Sequence, residues 1–300
     1  MYGIDFHADD YAASVENSKR ILALALAGRI DSFSVITNMG CFEFCMELLR
    51  NVWNSLPQKP LLSVHINLID GFWLSAPEHG RLLKNSWAGL FFRGLIPGPR
   101  RNDLQATLSA EIKAQILAFL EQTKDLEDDQ GSPLALRIDS HVHTHMIPFV
   151  FDALTDVLDH LNLSKQVRFI RCSSEPLFMF LLTPGVVGTI SPINLAKNLI
   201  LNLLSHSVRK KLLRTKIDTG RIFGLAMTGE MDLKRVQLLL PKMEHYAREK
   251  NVYLEILSHP GRVLTEEIAP EYGLDDQKTF PSPKRDIEYR MLMDLRRMND

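Results

Sequence analysis

The sequence predicts an α/β fold: a closed or nearly closed (β/α) barrel with about seven parallel strands. Three observations predict it. Seven short apolar or β-branched runs alternate with amphipathic helical stretches, the order that gives a parallel sheet with right-handed crossovers. The chain has 300 residues, 45% of them hydrophobic, which is enough to fill such a barrel. Side chains capable of chemistry fall at the C-terminal ends of the strand runs, the face where barrels of this kind carry their sites. A doubly wound open sheet is the alternative for the same alternation.

The strand runs are residues 2–7, 32–37, 61–67, 134–139, 167–171, 222–226 and 253–258. Ser14 is placed to cap a first helix that stops at Gly28. In residues 109–124, Ile112, Ile116, Phe119 and Leu120 recur at helical spacing. Residues 149–161, 194–213, 232–250 and 284–298 behave similarly. No internal repeat is visible, so residues 1–300 are expected to form one barrel domain. A long segment at about 69–106 interrupts it. This segment is rich in Gly and Pro and holds Phe72, Trp73, Trp87, Phe91 and Phe92. A connection of that length is expected either to cover the site as a lid or to pack its aromatics into a small core of its own.

Composition narrows the function. With 35 basic and 36 acidic residues the net charge is -1, which gives no electrostatic case for nucleic acid or an anionic membrane. Three cysteines, Cys41, Cys45 and Cys172, argue against a disulfide framework. Cys41 and Cys45 read as half-buried helix residues rather than a metal pair. The opening Met-Tyr-Gly-Ile-Asp-Phe-His lacks the basic and apolar regions of a signal peptide, so the expected location is the cytoplasm. Residues 176–196 carry no charge, and their prolines and glycines suit a buried or active-site loop, or an interface in a homodimer, better than a membrane span.

Four motifs carry chemistry. His7-Ala8-Asp9-Asp10 puts two adjacent carboxylates at a strand end, where they point apart; one can hold a metal while the other stays free as a base. Helix capping is the bland reading of the same pair. Asp139-Ser140-His141-Val142-His143-Thr144-His145 sets three histidines at spacing two, expected to share one face of an extended segment. Each ring needs hydrogen-bond partners, so three are rare in a plain core, and imidazole is the commonest neutral ligand of transition metals. Asp139 can orient a ring. His65 lies on the third strand run at the same end. His259, in Ser-His-Pro-Gly, is held by a tight turn and can serve as a general acid.

In this order, His-Ala-Asp-Asp-Tyr, Ser-Val-His-Ile-Asn-Leu, Asp-Ser-His-Val-His-Thr-His-Met-Ile-Pro and Ser-His-Pro-Gly resemble the motif set of the YdjC/ChbG family of carbohydrate deacetylases, from residue 1 to about Gly261. The resemblance implies an incomplete, irregular TIM-like barrel and a hydrolase that removes an N-acetyl group from an amino sugar or N-acetylated oligosaccharide. It implies one divalent metal ion, Mg or Zn, on Asp10, His65 and His141. Asp9 resembles the general base and His259 the group that protonates the leaving amine. His143, His145, Arg171 and Trp73 are expected near the substrate, and Arg168 and Glu175 resemble a further family segment. One departure stands out: Ala12 occupies a position after Tyr11 where the family usually has Gly. If that position needs a positive φ, Ala is strained there. An amidohydrolase or phosphoesterase on the same barrel, or a catalytically silent sugar-binding protein, are the competing readings.

Overall fold

The structure is a computed structural model, and it describes residues 2–77, 82–213, 215 and 217–295. Seven strands form one sheet: β1 (Gly3–Tyr11), β2 (Ser32–Val35), β3 (Leu61–Ile66), β4 (Leu136–Ser140), β5 (Val167–Ile170), β6 (Gly220–Phe223) and β7 (Tyr253–Ser258). The order is β5-β4-β3-β2-β1-β7-β6 and every pair is parallel. The sheet curls into an incomplete barrel. Its edges approach through Asp218, just before β6, which forms a parallel bridge to Phe169 on β5.

Helices cover the outside: α1 (Val15–Leu26), α2 (Phe42–Trp53), α3 (Trp87–Leu95), α4 (Pro99–Thr123), α5 (Pro148–His160), α6 (Phe178–Leu181), α7 (Pro192–Leu212), α8 (Leu233–Lys250), α9 (Asp276–Thr279) and α10 (Lys284–Asp294). Ser14 caps α1, its side chain accepting from the Asn17 N–H at 3.2 Å, as the sequence predicts. A large apolar cluster between sheet and helices draws on all seven strands, from Phe6 and Ala8 to Leu254 and Ile256. Alternation along β1 sends the residues between these, Asp5, His7 and Asp9, to the opposite face of the strand.

Several expectations are corrected. β1 extends to Tyr11, so Asp9 and Asp10 end the strand instead of following it. β6 begins and ends earlier than expected, at Gly220 and Phe223. The expected helix 284–298 is α10, ending at Asp294; residues 296–298 lie outside the described ones. The segment 69–106 is not one loop. It contains α3 and the first turns of α4, which starts with Pro99 at its first position, where a missing N–H costs nothing. Gly94 lets α3 press on α5: a Cβ there would lie 2.2 Å from the Phe149 ring. Trp87 stacks on Phe91 at 5.2 Å and both pack against the main core. These two aromatics therefore follow the core reading, not the lid reading.

The segment 176–196 is not a buried loop either. It holds α6, a single 3₁₀ turn and the start of α7, with Leu182 73% and Ile193 67% exposed. Lack of charge reflects apolar surface here rather than burial. No helix among the described residues is long and apolar enough to cross a membrane.

Candidate active site

The C-terminal ends of β1, β3 and β4 bring Asp10, His65 and His141 together. One ligand atom from each lies within 4.8 Å of the others. Asp10 Oδ1 is 3.5 Å from His65 Nε2 and 3.2 Å from His141 Nδ1. Ligands about 2.0–2.1 Å from a tetrahedral zinc sit about 3.3 Å apart, so the spacing fits a small divalent cation. Both rings are oriented from behind: His65 Nδ1 meets Asp139 Oδ1 at 2.7 Å, and His141 Nε2 meets Asp276 Oδ2 at 2.8 Å. Carboxylates on the remote nitrogens are the usual support of metal-binding histidines. Arg285 Nη2 donates to the other oxygen of Asp10, which leaves Oδ1 as the oxygen facing the two rings.

Electrostatics follow from this packing. Burial opposes the charge on Asp10, yet Arg285 and the two rings outweigh it and hold the carboxyl well below its ordinary range. Burial also opposes a charged His65, but Asp9, Asp139 and Asp10 outweigh that and lift the ring to about 9. Asp70, next to Asp276, is pushed up to about 7, first by burial and then by that like charge.

Asp9 lies beside this group and faces elsewhere. Arg171 grips it through two bonds, Nη2 to Oδ1 at 2.9 Å and Nη1 to Oδ2 at 3.0 Å. Ser34 Oγ donates to Oδ1 at 2.9 Å, and His7 Nε2 lies 3.0 Å from the same oxygen. Burial disfavours its charge; Arg171, followed by His65 and His7, holds the carboxyl well below the usual range. His259 Nε2 lies 3.8 Å from Asp9 Oδ2, and the ring is partly open to solvent.

The histidine cluster departs from expectation. Residues His141–Met146 form a kinked 3₁₀ turn, not an extended segment, with positive φ at Val142 (44°) and His143 (58°). A β-branched residue there is a strained outlier of the kind that gathers at functional sites. The kink sends the three rings apart. His141 joins Asp10; His143 Nδ1 pairs with Ser173 Oγ at 2.9 Å; His145 pairs with Ser140 Oγ and with the Arg171 carbonyl at 2.7 Å. Burial, then Arg171, keeps His143 well below its usual range, and burial pushes His145 down to about 4.

Two expected substrate contacts do not fit this geometry. Arg171 is fully buried and bridges Asp9, Asp139 (2.9 Å) and Glu255 (2.5 Å), so it organises carboxylates inside the barrel. His145 is buried with both nitrogens engaged. Trp73 is half-buried on a segment pinned by Asn38 and by Glu111, which accepts the N–H groups of Leu74 and Ser75. Arg168 is exposed, and buried Glu175 accepts the N–H groups of Gly224 and Ala226 after β6. Cys41 and Cys45 both donate to backbone carbonyls, of Ala12 and Ser14. Ala12 does stand at positive φ, 67°.

Sequence reading missed Glu255, Asp276, Arg285 and Glu288. Glu255 had a signal, a charge inside the apolar run of β7. The other three come from the 30 residues after Gly261, where helical periodicity says nothing about a barrel mouth.

The sequence profile of a family described as YdjC-like protein matches residues 4–298. Among curated proteins no relative matches the chain. Among solved structures, a protein of Enterococcus faecalis V583, provisionally described as a cellobiose-phosphate cleavage protein, is similar at 17% identity. That match covers 96% of this chain and 89% of the other, with a TM-score of 0.56, and it speaks for the fold. An endo-β-1,4-mannanase double mutant of Cellulomonas fimi is similar at 12% identity, over 85% of this chain and 65% of the other, with a TM-score of 0.40.

Proposed function

The chain belongs to the YdjC-like family, and from that premise we propose that it is a hydrolase that uses one divalent cation to remove an N-acetyl group from an amino sugar or N-acetylated oligosaccharide. The observation that carries this reading is the convergence of Asp10, His65 and His141 on one point, with a second, separately held carboxylate, Asp9, beside it.

Asp10, His65 and His141 would hold the cation, and their mixed oxygen and nitrogen donors suit Mg or Zn without choosing between them. When bound, the cation supplies a water of lowered pKa and polarises the acetyl carbonyl. Asp139 and Asp276 hold the two rings so that each turns one fixed nitrogen to the site. Arg171 keeps Asp9 ionised at neutral pH and so ready to accept the proton of the attacking water. The same clamp limits its basicity, so transfer to Asp9 depends on that water being unusually acidic. His259, on the open side of Asp9, donates a proton to the departing amine. His143, close to both, and Trp73 are the candidates for contacts to the sugar.

The test is acetate release from a panel of N-acetyl sugars, with chelator and after adding back Mg, Zn, Mn or Co. Release that stops with chelator and returns with a cation supports the reading; release indifferent to chelator removes it. Asp9→Asn should abolish turnover while the protein still binds the cation.

A further inference from the structure

We propose that Glu288 is the positioning residue of His259, a buried carboxylate delivered by α10 that fixes which ring nitrogen faces Asp9 and offers an acceptor to the other. The inference rests on the reading of His259 as proton donor.

Glu288 is 1% exposed and lies on the inner face of α10, one turn after Arg285. Its Oε2 accepts the backbone N–H of His259 at 2.5 Å and lies 3.5 Å from the ring's Nδ1. Its Oε1 accepts the Gly229 N–H at 2.6 Å. These two backbone bonds fix the carboxylate in place. His259 Nδ1 is shielded from solvent and makes no hydrogen bond among the described residues, so the Glu288 carboxylate at 3.5 Å is the acceptor within reach of a small ring rotation. Such contacts are often long in a ligand-free site and tighten with substrate. Nε2, the opposite nitrogen, points to Asp9 Oδ2 at 3.8 Å.

The arrangement is a carboxylate, an imidazole and a second carboxylate in a row. An acceptor on Nδ1 fixes the tautomer and stabilises the imidazolium, the logic by which a third group orients a catalytic histidine. Since α10 also sends Arg285 to Asp10, one helix steadies both the proposed metal ligand and the proton donor. Gly261 N–H donates to the Arg285 carbonyl and ties the helix to the turn that carries His259.

The charged and titratable groups facing His259 are Asp9 from β1, Glu288 from α10 and the neutral His143 from the turn after β4, with Arg171 behind Asp9. Glu288→Gln removes one negative charge and keeps an oxygen for one of the two backbone N–H groups, that of His259 or that of Gly229. The full-length protein with Mg is titrated by NMR, following the His259 ring proton, which His259→Gln assigns. The expected result is a midpoint about one pH unit lower in Glu288→Gln, a tenfold weaker hold on the proton. The alkaline limb of kcat should move the same way, kcat should fall about tenfold, and KM should stay unchanged. A midpoint and limb that stay in place in the folded variant, whatever its Tm, would overturn the proposal and leave Glu288 a structural pin. If His259→Gln keeps full acetate release, the proton-donor reading fails instead, and the NMR midpoint still reports whether Glu288 controls the ring.

Discussion

Arg171 and Asp9 meet as a fork on a carboxylate inside the barrel, Nη1 3.0 Å from Oδ2 and Nη2 2.9 Å from Oδ1, both side chains shut away from solvent. Bidentate geometry of this kind is available to Arg and not to Lys. Arg171→Lys should lose one arm of the fork and cost about 2 kcal/mol of stability, the worth of a charge-assisted hydrogen bond. Asp9 should then rise toward the ordinary carboxylate range, moving the acid limb of acetate release to higher pH. Urea denaturation and a pH-rate profile measure the two effects; an unmoved acid limb would show that Arg171 does not set the charge state of Asp9.

Asp276 comes from α9, more than 130 residues beyond His141 in sequence, and its carboxylate fixes the remote nitrogen of that ring. Asp276→Asn should weaken cation binding roughly 10–100-fold, the usual cost of losing such support. Calorimetric titration with Zn or Mg reads this directly. Affinity equal to that of the unaltered protein would mean that His141 needs no outside orientation.

Ala12 and Ala13 form a controlled pair. Both are fully buried, but only Ala12 stands at positive φ. Replacing either by Gly loses a buried methyl, about 0.8 kcal/mol, and adds about 0.5–1 kcal/mol of backbone entropy cost. At Ala12 the release of left-handed strain, roughly 1–2 kcal/mol, offsets this. Ala12→Gly is therefore expected to be near neutral and Ala13→Gly to cost about 1.5 kcal/mol. Equal losses in thermal or urea unfolding would show that the Ala12 backbone is not strained.

His145 gives a pH dependence of stability. Its folded-state pKa, about 4, lies below the ordinary 6.5 because of burial. The unfolded chain therefore takes up the proton first. The contribution is fully present above about pH 6.5 and is lost as pH falls toward 4, by on the order of 3 kcal/mol in all. His145→Gln should flatten the stability curve across that window. An identical slope in the variant and the unaltered protein counts against a neutral, buried His145.

Much of this was legible locally. Period-two apolar runs between period-3.6 stretches mark seven strands and most of the helices, because each pattern records which face of an element is buried. The ends of those strands then place Asp9, Asp10, His65 and His141 on one rim, since parallel strands point the same way. Segment 69–106 was harder to read, because α3 takes its helical form by packing on α5 through Gly94, a contact no local pattern announces.

The sequence by itself determined the barrel, its active rim and the residue types that could hold a cation. Tertiary structure decided how the histidines divide their tasks. The strained turn at Val142 and His143 sends three rings in three directions, where spacing alone suggested one shared face. It also decided who supports the site: Arg171 from the end of β5, Asp276 from α9, and Arg285 and Glu288 from α10. Hydrogen bonds between residues 29 to 275 positions apart leave no periodic trace in the chain. They exist only once the sheet has curled and the last helix has closed over its mouth.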